Sequence, residues 1–228
     1  MVEDALSSVR DRSSALLVTT FSSHIARLKS IVDFGKKTKR KIIFLGRSLN
    51  KYVKSATTVK QCPFRKDITL FKYRKQVDSF LKKAEKERGK YLIVCTGHQA
   101  EPGSILDRIV KDETPFKLKA GDNVIFSSSV IPAPVNINNR EKMDKKLRKK
   151  GVRNYVSWFH TDVNLSDHGY REDLRDLVEI LKPRHIIPAH GSLQQETPMI
   201  ELASEMDYKF GETSHLSSDG KVLKFKGH

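Results

Sequence analysis

Four short runs of continuous apolar residues punctuate the first half of the chain: Ala15 to Thr20 (ALLVTT), Lys41 to Leu45 (KIIFL), Lys90 to Thr96 (KYLIVCT) and Asp122 to Ser127 (DNVIFS). A strand buried on both faces reads this way, because neither side of its pleat meets water. Between the runs, apolar positions recur at helical spacing. Ile25, Leu28, Ile31 and Val32 mark one amphipathic helix, with Ser22 or Ser23 as its expected cap and Gly35 as its end. Leu49, Tyr52 and Val53 mark the next, with Ser48 as cap. Alternating strand and helix predict an α/β fold built on a parallel, doubly wound sheet. A second βαβ unit follows: a strand from Asn154 to Phe159, a helix from Arg171 to Leu181, Pro183 as its stop, a strand from His185 to Pro188, and a helix from Thr197 to Met206. Two short strands, near Asp207 to Phe210 and Lys221 to Phe225, complete the pattern. The break between the halves is Arg140 to Lys150 (REKMDKKLRKK). As a helix it can bury only a thin stripe with Met143 and Leu147, so it is a linker helix or a surface helix.

Charge sharpens this picture. Lys and Arg outnumber Asp and Glu by 43 to 27, a formal net charge of +16, which points to a polyanionic partner. Nothing apolar approaches the roughly 20 residues that a bilayer span needs. The start, MVEDALSSVRDR, lacks the apolar centre of a signal peptide. A soluble, cytoplasmic protein is expected. Cys62 and Cys95 form no CxxC pattern and are expected to be reduced.

In an open parallel sheet the ligand sits outside the carboxyl ends of the strands, where turns feed helix amino termini. Here those turns are Thr19 to His24, Gly46 to Ser48, Thr96 to Ser104 and Ser127 to Pro132, all rich in hydroxyls, amides and glycine. Ser22, Ser23, His24, Arg27, Arg47, Ser48, Gly97, His98, Gln99, Glu101 and Ser128 are the expected RNA-binding positions there, with Tyr170 and Arg171 in the second half. Such groups grip a phosphate backbone without reading bases. Neither GxGxxG nor GxxxxGK[ST] occurs, so nucleotide binding of the Rossmann or P-loop kind lacks its signal.

Two histidines stand out. His190 ends an apolar run (IIPAHG), where Gly191 lets the chain turn; His168 precedes a helix in DHGYREDL. His160, Asp162, Asp167 and His168 look like a metal cluster, but aligning them with the H-x-H-x-D-H hydrolase loop puts Val163 and Leu165 at two histidine positions. A metal site from this chain alone is short of ligands.

The segments VTTFSSHIARLKSIVDFGKK, KIIFLGRSLNKYV, YLIVCTGHQAEPGSILDRI, DNVIFSSSVIPAPVN and DHGYREDLRDLVEILKPRHIIPAHG together resemble ribonuclease J, particularly its archaeal form, in the β-CASP branch of the metallo-β-lactamase superfamily. The resemblance spans nearly the whole chain. It implies a β-CASP module over 1–150 and, over 151–228, the return segment that completes a metallo-β-lactamase fold. It also implies that His168 is the catalytic proton donor or a transition-state contact and His190 a zinc ligand. Zinc would be shared with a separate chain, a metallo-β-lactamase half carrying H-x-H-x-D-H, and would lower the pKa of the attacking water. RNA as substrate, exonuclease action from the 5′ end and homodimerisation of the assembled enzyme belong to the same implication. Two departures stand beside it: Asp167 directly precedes His168, and PAPVN replaces a glycine-containing acidic turn near Pro132. The competing expectation is a catalytically silent RNA-binding or assembly subunit with the same fold.

Overall fold

The computed structural model describes residues 13–131, 133–156, 169–189, 191–218 and 220–225. His168 and His190 lie outside them. The chain divides into two compact units, Met1–Leu165 and Ser166–His228.

The first unit runs β1 (Leu16–Thr19), α1 (Ile25–Lys37), β2 (Lys41–Leu45), α2 (Arg47–Thr58), β3 (Ile68–Phe71), α3 (Arg74–Lys86), β4 (Tyr91–Cys95), α4 (Ile105–Val110), β5 (Asn123–Phe126), α5 (Pro134–Lys149) and β6 (Arg153–Val156). Its six strands lie in the order β3-β2-β4-β1-β5-β6, and every pairing is parallel. The α/β doubly wound expectation is met. Leu16, Val18, Ile42, Phe44, Leu92 and Val94 pack on one face with Leu28 and Ile31 of α1 and Leu49 and Val53 of α2. Leu17, Ile43, Leu45, Ile93 and Phe126 pack on the other with Leu81 of α3, Leu106 of α4 and Leu147 of α5. Both faces are therefore covered, as continuous apolar strands require.

The chain leaves β1 across β4 to reach β2, and leaves β4 across β1 to reach β5. These crossings lie on opposite faces, so the direction of winding switches between β1 and β4, which is the position of the ligand crevice in such sheets. Register aligns Thr19 with Cys95 and Phe126, and Leu45 with Cys95. Four polar turns thus leave one edge.

Several local expectations are corrected. His24, not Ser22 or Ser23, caps α1, its Nδ1 accepting from the Arg27 backbone N–H at 3.2 Å. Gly35 does not end that helix. It lies inside it, where a Cβ would stand 2.6 Å from Leu92 Cδ2 and 2.8 Å from Ile42 Cδ1. Gly46, at φ 126, precedes α2 in place of the Ser48 cap. The segment 140–150 is the end of α5, which covers the sheet through Arg140, Met143 and Leu147. The strand after it, β6, joins the first sheet beside β5 instead of opening the second unit.

The second unit holds α6 (Arg171–Leu181) and α7 (Leu193–Glu205), around a small core of Val178, Ile186 and Ala203. The expected helix from Thr197 starts earlier, at Leu193, because Ser192 and Gln195 form a capping box. In place of the expected strands at 185–188 and 207–210 there are single bridges, Ile186 to Ser214 and Phe210 to Ser214; residues 221–225 form no strand. Among the described residues no helix is long and apolar enough to cross a membrane.

Candidate nucleic-acid interface

The turn after β1 carries Ser22, Ser23 and His24, with Arg27 in the first turn of α1. Its backbone is tied to the turn after β5: Thr20 Oγ1 donates to the Ser127 carbonyl at 3.0 Å, and Arg27 Nη1 to the same oxygen at 3.2 Å. Arg47 and Ser48, both exposed, open α2. Ser128 follows β5 and is fully buried.

The turn after β4 is the most constrained. Gly97 sits at φ +123, where a Cβ would lie 2.7 Å from Leu106 Cβ and Ser104 Oγ, so glycine is required. Ala100, 3 % exposed, has φ 56, a left-handed conformation of the kind that clusters at binding sites. Gln99 bridges loops: Nε2 donates to the Ser129 carbonyl at 2.9 Å, and Oε1 accepts from the Ile131 N–H at 2.8 Å. Its carboxamide is committed to holding two turns together. Glu101 Oε2 accepts from the Gln99 N–H at 3.2 Å.

His98 bridges the crevice. Its ring meets Phe21, centroid to centroid at 4.1 Å and tilted by 56°. Burial pushes its pKa below the usual histidine value; Glu101 opposes this, whereas the Arg140 and Arg27 charges reinforce it. The imidazole is thus held toward its neutral form.

Arg140 is the residue the sequence pattern missed. It is 2 % exposed, and its guanidinium lies 3.2 Å over the Phe126 ring. Nε donates to Asp144 at 3.0 Å and Nη1 to the His98 carbonyl at 3.4 Å. The i, i+4 pairing with Asp144 was the one signal that could have marked it, and on a charge-rich helix it reads as a surface pair.

Four buried polar atoms around this crevice have no hydrogen-bond partner among the described residues: Thr19 Oγ1, His98 Nε2, Ser128 Oγ and Arg140 Nη2. Buried polar groups in native proteins nearly always find a partner. Their concentration at the carboxyl ends of β1, β4 and β5 marks a place where an outside group, water or ligand, must supply one.

Tyr170 and Arg171 belong to the second unit. Tyr170 is exposed and caps α6, its N–H donating to Asp173 Oδ2 at 2.8 Å. Arg171 is engaged by Glu205, which Arg175 also contacts at 2.7 Å. Among the described residues no group of three or more His, Cys, Asp or Glu side chains is placed to hold a metal ion, so those residues alone do not build a zinc centre. Cys62 and Cys95 are buried free thiols, and burial raises the Cys95 pKa to about 12. The Cys95 thiol is thus held in its protonated, weakly nucleophilic form.

Residues 13–144 match the family described as Ribonuclease J, beta-CASP domain, and residues 161–210 the family described as Zn-dependent metallo-hydrolase RNA specificity domain. Among known proteins, the chain is 37 % identical to ribonuclease J of Methanocaldococcus jannaschii over 98 % of its own length and 49 % of that protein's. It is 38 % identical to ribonuclease J of Pyrococcus abyssi over 93 % of its length and 46 % of that protein's. For the Sinorhizobium meliloti enzyme the figures are 29 %, 85 % and 32 %. The chain spans about half the length of the archaeal relatives it matches. With a doubly wound sheet of the expected kind and a domain match covering more than half its residues, the chain belongs to the ribonuclease J family and carries that family's β-CASP domain.

Proposed function

We propose that this chain provides the RNA-gripping surface and two histidines of a zinc-dependent ribonuclease, whose other metal ligands come from a metallo-β-lactamase half on a separate polypeptide. The observation that carries this reading is the crevice at the switch of strand order, where four buried polar atoms await partners on a chain of net charge +16. Phosphate and ribose oxygens, directly or through ordered water, are suitable partners. The relatives' name, ribonuclease J, supports RNA as the ligand.

In this reading residues 1–150 are the β-CASP module and 151–228 the segment that completes the metallo-β-lactamase fold. His168 protonates the leaving oxygen, and His190 is a zinc ligand. Ser22, Ser23, His24, Arg27, Arg47, Ser48, His98 and Ser128 grip the backbone of a single strand, which the enzyme shortens from its 5′ end. Tyr170 and Arg171 are RNA contacts of the second unit. That unit leaves Leu177, Ile180 and Leu181 of α6 49 %, 77 % and 64 % exposed. Clustered apolar side chains of this kind suit a covering partner, and the assembled enzyme forms a homodimer.

Purifying the chain alone and mixed with a metallo-β-lactamase half of this family, then measuring bound zinc and RNA cleavage, tests the proposal. Cleavage is expected only in the mixture. His190→Ala should abolish it, and His168→Ala should slow it by about 10²- to 10⁴-fold. A mixture that binds RNA but never cuts it makes the chain a silent subunit. Stoichiometric zinc and cleavage by the chain alone would overturn the composite site.

A further inference from the structure

A second concave surface lies on the first unit, away from the crevice. α3 packs over β2 and β4 and leaves the face of the edge strand β3 partly uncovered, forming a groove of about 550 Å³. Its floor includes Phe71, which stacks on Phe80 with centroids 5.2 Å apart and planes 21° from parallel. Phe80 in turn meets Tyr91 edge-on at 5.1 Å. Phe71 is only partly buried, so this aromatic column ends in the groove.

The walls are basic. Lys41, Lys75 and Lys83 line the groove, and no carboxylate does. None of the three lies within ion-pair distance of a carboxylate among the described residues, and the nearest acid influence is Glu87, which accepts from the Tyr91 hydroxyl at 2.7 Å and acts on Lys83 through space. Gln76 and Ser79, at helical spacing with Lys83, add neutral hydrogen-bonding groups along the same wall. A smaller cavity of about 230 Å³ adjoins it, sharing Lys41 and Thr69. Its one acid, Asp67, is already paired with Lys36 at 2.6 Å.

The groove joins the carboxyl edge. Phe71 ends β3 opposite Leu45, and its carbonyl accepts from the Gly46 N–H at 3.0 Å. The turn bearing Arg47 and Ser48 therefore hands on directly to the aromatic end of the groove. From there β3 leads toward Lys41 over about 13 Å, at roughly 3.3 Å per residue.

We propose that this groove is a second RNA subsite. It takes a single-stranded stretch continuing from the carboxyl edge, with a base against Phe71 and phosphates met by Lys41, Lys75 and Lys83. The inference rests on the RNA-binding reading given above. An aromatic platform flanked by lysines, with no acid between, is the chemistry that holds single strands without sequence preference. Its volume suits about one nucleotide, since pockets of roughly 300–1,000 Å³ hold ligands of that size.

The test measures binding of the full chain to a short oligouridine and to one several-fold longer, by fluorescence anisotropy across a salt series. Lys75→Gln/Lys83→Gln replaces exposed side chains and leaves the core intact. It should weaken the longer RNA about tenfold near 0.15 M salt, lower the slope of log K against log salt by about 1.4, and leave the short RNA unchanged. A longer RNA carrying 4-thiouridine should crosslink to the peptide containing Phe71, and Phe71→Leu should remove that crosslink. If the double variant binds both RNAs normally while Arg47→Gln weakens them, the subsite is refuted and the crevice reading stands. If the chain binds neither RNA, both readings fall. Displacement from the groove by polyglutamate as effectively as by oligouridine would assign it to an acidic protein instead.

Discussion

Ser128→Ala should make the protein more stable and a poorer RNA binder at once. The Ser128 hydroxyl is fully buried and lacks a partner among the described residues. In the free chain Thr20 and Arg27 both hold the Ser127 carbonyl, at 3.0 and 3.2 Å, and keep the hydroxyl from water; a phosphate that drew Arg27 away would expose it. A buried hydroxyl without a hydrogen bond costs about 1–3 kcal/mol. Alanine removes that cost and leaves a void of one oxygen atom, for a net gain of about 1–2 kcal/mol. In a chain of this size that raises the melting temperature by about 2–8 °C. If the hydroxyl meets a phosphate oxygen in the complex, the lost hydrogen bond to a charged group is worth about 1.5–3 kcal/mol, or a 10- to 150-fold weaker complex. Thr19→Val, a change of similar shape at another unpartnered hydroxyl, should also raise the melting temperature but leave RNA affinity unchanged, because Thr19 is enclosed between two strands. Calorimetry and anisotropy titration at one fixed salt concentration read the two effects separately. A lower melting temperature with unchanged RNA affinity would mean that ordered water satisfies the hydroxyl for the fold's sake, and the argument from unpartnered groups would be wrong.

Three further outcomes follow from the same geometry. Gly97→Ala should cost about 2–4 kcal/mol in urea unfolding, since it adds a Cβ at φ +123 against Leu106 and Ser104; an unchanged midpoint would contradict the contact. The lowered pKa of His98 means that the unfolded chain binds its proton more readily. Stability should therefore be fully present above the unfolded value near 6.5 and fall as pH drops through the folded value, and His98→Asn should flatten that slope in pH-dependent melts. Asp122, whose side chain is 2 % exposed, accepts from the Ala15 N–H at 2.9 Å and the Lys119 N–H at 2.7 Å and pairs with Arg88. Arg88 keeps Glu85 at 2.5 Å, so Asp122→Asn should cost about 1–3 kcal/mol, chiefly by turning an amide NH₂ against the donors that Asp122 accepts from, which denaturant titration will show.

Much of the architecture was legible because the central strands are apolar on both faces. β1, β2, β4 and β5 fall inside the four runs that stand out in the sequence, and a parallel sheet needs such strands. β3 escaped because it is an edge strand of four residues, ITLF, too short for any periodicity to declare itself. The segment 140–150 was legible as a helix but not as a wall of the core. Its buried stripe of Met143 and Leu147 was legible, but the arginine that extends it was not, since arginine is seldom buried unless paired. At Arg140 the pairing is with Asp144 in sequence and with Phe126 only in space. β6, read from the sequence as the opening strand of the second βαβ unit, pairs instead with β5.

The candidate site divides along the same line. That ligand contacts gather at the carboxyl ends of the strands follows from chain direction, so the four turns could be named from the sequence. Which of their side chains face water and which lie beneath depends on strand order. With β4 inserted between β2 and β1, Thr19 lies sealed between β4 and β5, and His98 is brought onto Phe21. Gln99, expected to contact RNA, is instead occupied by two loop backbones. Its contribution to binding is then to hold the turn after β5 in place, so Gln99→Leu should lower RNA affinity and stability together, the opposite coupling to that of Ser128→Ala.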